Sequence, residues 1–67
     1  MKTVVLSEYP ACNYTLLARI NDRDEVHEFV AAFMYDKDSK TWGQGHYFST
    51  LESAYGYIAE KYCEAVA

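Results

Sequence analysis

The sequence predicts an α+β domain: an antiparallel sheet of three strands, with a candidate fourth, and one C-terminal helix packed on one face. Three observations predict it. Ser49-Thr50-Leu51-Glu52 introduces a final stretch with apolar residues at helical spacing. Residues 14–48 break into strand-length runs separated by turn-forming clusters. One Trp, seven Tyr and three Phe in 67 residues supply large apolar side chains for one modest core. A chain this short buries only about 60% of the surface its unfolded form exposes, so packing must be good. One domain over residues 1–67 is expected.

The helix is expected over residues 50–66. In its opening box the Ser49 hydroxyl accepts from the Glu52 amide while Glu52 reaches back. Leu51, Ala54, Tyr55, Ile58, Tyr62, Ala65 and Val66 then fall in one arc, with Glu52, Ser53, Tyr57, Glu60 and Lys61 opposite. Gly56 costs about 1 kcal/mol relative to alanine, and Glu60 repels Glu64 one turn on. Upstream, residues 14–20, 25–35 and 41–48 read as strands, joined by Asn21-Asp22-Arg23-Asp24 and by Asp36-Lys37-Asp38-Ser39-Lys40. Residues 3–7 are the candidate fourth strand, which Pro10 ends.

With those two loops, Leu16 faces Phe29, Tyr14 faces Ala31, Ala31 faces Gly45, and Tyr35 faces Thr41. Opposed residues share a face. One face then reads Tyr14, Leu16, Ala18, Ile20, Phe29, Ala31, Phe33, Tyr35 and Tyr47, with Gly43 and Gly45 allowing the helix to approach. The other carries Thr15, Leu17, Arg19, Val26, Glu28, Val30, Ala32, Met34, Trp42, Gln44, His46 and Phe48. One helix cannot cover both. Two readings of the second face stand: Trp42 and Met34 close a minor core beneath residues 1–12, or they remain exposed as an interaction surface.

The net charge of −4 is unevenly placed. Residues 21–38 hold Asp22, Asp24, Glu25, Glu28, Asp36 and Asp38 against Arg23 and Lys37; the rest of the chain balances. An acidic stretch repels phosphate backbones, which argues against direct nucleic-acid binding and for a partner protein with a basic surface. No apolar run is long enough to span a membrane. The first eight residues are too soon acidic for a signal peptide, which makes a cytoplasmic protein the expectation. Cys12 and Cys63 read as free thiols, one bridge between them being the alternative.

No metal, cofactor or catalytic residue is expected. His27, His46, Cys12 and Cys63 lack zinc-motif spacing. Asp36-Lys37-Asp38 opens like a calcium loop, but Lys40 and Tyr47 stand where ligands are needed. Trp42-Gly43-Gln44-Gly45-His46 precedes no helix directly and carries no phosphate-loop lysine. The candidate partner-binding residues are instead Met34, Trp42, Gln44 and His46 on the open face, with Asp22, Asp24, Glu25, Glu28, Asp36 and Asp38 as the acidic set. Trp and Met are enriched at interface centres.

The stretch Phe29–Tyr57, with its Tyr35-Asp36-Lys37-Asp38 turn, Trp42-Gly43-Gln44-Gly45-His46-Tyr47-Phe48 strand and Ser49-Thr50-Leu51-Glu52 helix start, resembles small proteins of bacterial plasmids and phages. In size and acidity the chain resembles the anti-CRISPR inhibitors. That class shares no motif, so no functional residue carries over. The resemblance implies a stoichiometric inhibitor that covers the basic surface of a host nucleic-acid-binding enzyme, such as a CRISPR nuclease, in the bacterial cytoplasm. The alternative expectation is a structural module that self-associates through the same open face, forming a homodimer.

Overall fold

Pro10, Asn21 and Asp36 set the turns from which the sheet is built. The structure, a computed structural model, describes residues 2–66; the expected domain over 1–67 includes Met1 and Ala67, which lie outside the described residues. Among the described residues the chain forms β1 (Lys2–Tyr9), β2 (Tyr14–Ile20), β3 (Val26–Phe33), β4 (Gln44–Phe48) and α1 (Leu51–Val66). The sheet is antiparallel in the order β1-β2-β3-β4. Proline cannot donate to a strand ladder, so β1 stops at Tyr9 and Pro10–Cys12 forms a 3-10 turn closed by Asn13 in the left-handed region. The α+β expectation holds, and residues 2–9 are a full fourth strand.

Each hairpin departs from the expected register for a local reason. Asn21 Oδ1 accepts from the amides of Arg23 and Glu25, while the Asn21 amide donates to Glu25 O. The loop therefore holds three residues rather than four. A bulge between Arg19 and Ile20 then opposes two residues of β3 to one of β2. Two one-residue slips add to two, so Leu16 lies opposite Ala31 instead of Phe29, and every β2 side chain keeps its expected face.

In the second hairpin only one slip occurs. Asp36 Oδ1 accepts from the Asp38 amide (2.9 Å), and the Asp36 amide donates to Thr41 O (2.8 Å), which keeps Asp36 in the ladder. Ala31 consequently lies opposite His46, not Gly45. A single slip inverts a strand. Gln44, His46 and Phe48 move to the helix face, while Gly45 and Tyr47 take the other. Met34, at φ 58°, ends β3 before its expected limit and turns Tyr35 to the side away from the helix as well.

The sheet is thus packed on both sides. Beneath α1, Cys12, Leu16, Ala31, Ala54 and Ile58 are buried, with Tyr9, Tyr14, Phe29, Phe48 and Tyr57 against them. On the opposite side Leu17, Val30 and Ala32 are 0% exposed, under Tyr35 and Trp42. Trp42 therefore closes a second core, from the β3–β4 connection and not beneath the N-terminal segment, whose described residues 2–12 lie in the sheet edge and the turn after it. Gly45 serves this core rather than the helix. A Cβ there would stand 2.5 Å from Trp42 Nε1 and 2.9 Å from its Cδ1. Burying side chains of this kind is worth roughly 1.5–3 kcal/mol each.

The helix start also shifts by one. Thr50 Oγ1, not Ser49, accepts from the backbone amide three residues on, at Ser53 (3.2 Å). Of the expected apolar arc only Ala54 and Ile58 are buried. Tyr57, expected to face solvent, is packed on the core, whereas Leu51, Tyr55, Tyr62 and Val66 are exposed. The cause is lateral placement: α1 packs on β2, β3, β4 and the 3-10 turn.

Two glycine substitutions should separate these roles in urea unfolding. Gly45→Ala should cost about 1–3 kcal/mol, since the indole must move from its seat. Gly56→Ala, where a Cβ meets nothing within 4 Å, should stabilise by about 1 kcal/mol. A neutral Gly45→Ala would contradict the seating of Trp42.

Candidate functional site

Three residues in the left-handed region gather at the end of the sheet where the 3-10 turn meets the β3–β4 hairpin: Asn13 (φ 61°), Met34 (φ 58°) and Lys40 (φ 58°). Asparagine takes this conformation readily; a long unbranched side chain does so at a cost of roughly 1–2 kcal/mol. The Met34 amide donates to Asn13 O (2.9 Å), and the Gly43 amide donates to Phe33 O (3.2 Å). These bonds clamp Met34 from both flanks and hold its side chain outward, 59% exposed. Beside it an open hollow of about 320 Å³ is lined by Glu8, Tyr9, Asn13, Tyr14, Met34 and Tyr35, among others.

The loop beyond Met34 is tied across this hollow. Lys37 Nζ lies 2.8 Å from Glu8 Oε1, and the hydrogen bond to that carboxylate holds the Lys37 ammonium above the usual lysine range. Asp36 spends one oxygen on its own turn, and Asp38 is exposed. Met34, Trp42, Asp36 and Asp38 therefore share one end of the molecule, although Trp42 is half-buried over the second core.

The remaining expected partner residues lie elsewhere. Asp22, Asp24 and Glu25 occupy the β2–β3 loop at the far end, where Asp24 Oδ1 is 3.5 Å from Lys2 Nζ. The strands between span about 24 Å at 3.4 Å per residue, several Debye lengths at physiological salt. The two acidic groups thus act on separate surfaces. Glu28 is held by Arg19 at 2.7 Å within the sheet. Gln44 and His46, expected beside Trp42, project from the helix side.

His46 belongs to a chain of polar groups pinning α1 to the sheet. Its Nε2 is 2.9 Å from the Tyr57 hydroxyl, which is 3.3 Å from that of Tyr14. The His46 and Tyr57 rings stack at 4.4 Å, and Lys61 Nζ lies 5.5 Å from the Tyr57 ring centre. The hydrogen bond with Tyr57, aided by burial, pushes Tyr14 up to about 12. Among the described residues no three His, Cys, Asp or Glu side chains gather to hold a metal ion, and no helix is long and apolar enough to cross a membrane. Cys12 and Cys63 are free thiols, the first buried and the second exposed.

A further surface lies between β1 and α1 and was not anticipated. Leu6, Leu16, Leu51 and Tyr55 line an open trough of about 420 Å³, and a smaller hollow of about 210 Å³ continues it past Ala59, Tyr62 and Cys63. A width comparison could have revealed it. Four strands at about 4.8 Å spacing outspan one helix of about 10 Å diameter.

No protein-family model matches this sequence, and no curated protein or solved structure is significantly similar to it.

The folded state holds the Tyr14 proton more tightly than the unfolded chain does. Its contribution to stability is full below pH 10 and is lost as pH rises toward 12. Absorbance titration at alkaline pH should show a late tyrosinate step near 12 that Tyr14→Phe removes. An unchanged titration in that variant would contradict the hydrogen-bonded chain.

Proposed function

We propose that this protein is a non-catalytic binding protein that docks on a basic protein surface through the Met34–Trp42 end. One observation carries the reading: a long apolar side chain is held outward in a costly backbone conformation beside Asp36 and Asp38. Strain of this kind persists where surrounding contacts over-determine it, and it clusters at ligand clamps. Methionine suits an anchor because its unbranched thioether adapts to irregular partner surfaces. Asp36 and Asp38, which alternate with Lys37 and Lys40 in the same loop, pair with cationic groups of the partner and set the salt dependence of association. The chemistry of the adjoining hollow agrees with binding rather than catalysis, because Glu8, the carboxylate in its wall, is engaged by Lys37.

The target class that fits this chemistry is a nucleic-acid-binding enzyme, whose substrate channel is basic. Covering such a channel makes the protein a stoichiometric inhibitor acting in a bacterial cytoplasm, as the resemblance to anti-CRISPR proteins implies. Trp42 supports the end as a scaffold more than as an anchor. Replacing it uncovers Leu17, Val30 and Ala32, so its loss reads as destabilisation.

Purified guide-loaded CRISPR nucleases, assayed for target-DNA cleavage with and without the protein, test this reading. Inhibition should saturate near one equivalent and weaken with salt. Asp38→Lys should slow association, whereas Met34→Gly should speed dissociation about tenfold or more. Met34→Gly should keep the fold or stabilise it, because glycine accepts the left-handed conformation. Cleavage untouched at excess protein across the panel contradicts the inhibitor reading. Equal potency of all three proteins contradicts the surface.

A further inference from the structure

The trough on the helix side calls for a different occupant from the Met34 end. Its walls are β1, with Lys2 and Glu8, and α1, with Glu52, Glu60 and Glu64 against Lys61, and Glu52 stands at the trough's rim. Along α1, Leu51, Tyr55, Ala59, Tyr62 and Val66 fall within an arc of about 80° at 100° per residue. Leu51, Tyr55 and Tyr62 are 48%, 54% and 43% exposed, and Val4 and Leu6 on β1 are also uncovered. This is one continuous apolar stripe with a partly empty trough at its foot.

The spacing of the stripe is self-complementary. When two copies of α1 are laid antiparallel about a two-fold axis between Ile58 and Ala59, Leu51 meets Val66 and Tyr55 meets Tyr62 of the second copy. An isologous contact needs this reciprocity, in which one residue meets another and that residue meets the first. Charge agrees with it. In this register Glu52 stands opposite Ala65, Glu60 opposite Tyr57 and Glu64 opposite Ser53, so no carboxylate faces another. Ala59, small and close to the axis, permits near approach of the two helices. The exposed parts of Val4, Leu6, Leu51, Tyr55, Tyr62 and Val66 amount to about 1,000 Å² over two copies, the lower bound for a specific interface.

We infer that the trough and stripe are the seat of a second copy of this chain, forming a two-fold dimer through antiparallel α1 helices. The contact uses none of Met34, Asp36 and Asp38, and its failure leaves the binding proposal standing.

Sedimentation of the full chain over a concentration series from about 1 μM to about 500 μM, which brackets weak and moderate self-association, tests the inference. The weight-average mass should rise from 7.7 kDa toward twice that value. Tyr55→Lys and Tyr62→Lys, at exposed positions, should each abolish the rise with unchanged circular dichroism. The double variant Tyr55→Lys/Tyr62→Glu sets opposite charges across the axis and should restore it. A chain that stays monomeric throughout overturns the inference. So does a dimer indifferent to Tyr55→Lys, or a double variant that fails to recover.

Discussion

The contact between the Trp42 indole and the space Gly45 leaves vacant governs the fold. A four-stranded sheet with a single helix has one face with no element to cover it, and water against Leu17, Val30 and Ala32 would forfeit the burial of the second core. Trp42 answers this from the loop side, lying against the sheet where a Cβ would block it, with Tyr35 at its flank (ring centres 6.1 Å apart). The same arrangement needs β3 to end at Met34, because a continued strand would have sent Tyr35 to the helix face. Strain at Met34 and burial of the second core are thus two sides of one local decision.

Width imposes the other constraint. The helix sits over β2, β3 and β4, with the Tyr14–Tyr57–His46 chain fixing its position from three elements. Once placed there it cannot also shield β1. The molecule therefore has a sealed core at one side of α1 and an apolar trough at the other. The bulge between Val5 and Ser7 belongs to this exposed edge, where it disturbs the ladder that a foreign strand would extend.

Much of this was legible in the sequence. The strand and helix identities, the apolar face of β2 and the acidic character of the β2–β3 loop follow from periodicity, turn chemistry and composition. What escaped reading was the work of single side chains. Asn21 shortened one loop and a bulge restored the parity, so the error was silent. Asp36 shortened the other with nothing to compensate, so Gln44 and His46 appeared on the wrong face. The buried face of α1 is rotated from the apolar arc toward Tyr57, because periodicity says which residues are apolar and not which of them a neighbour covers. Leu51, Tyr55 and Tyr62 belong to the arc and are nonetheless exposed. Ser49 and Thr50, both competent caps, differ by one residue, and only the geometry of the turn chooses between them.

The two-sided sheet is the claim on which the functional surfaces rest, for it positions Met34 at one end and leaves the trough at the other face. Proton NMR tests it most directly through Gly45. With the indole stacked over that residue, one Gly45 Hα should be shifted strongly upfield by the ring current and should show contacts to the Trp42 Hδ1 and Hε1 protons. A Gly45 resonance at its ordinary position, with Trp42 contacts running to Ile58 instead, would contradict the account.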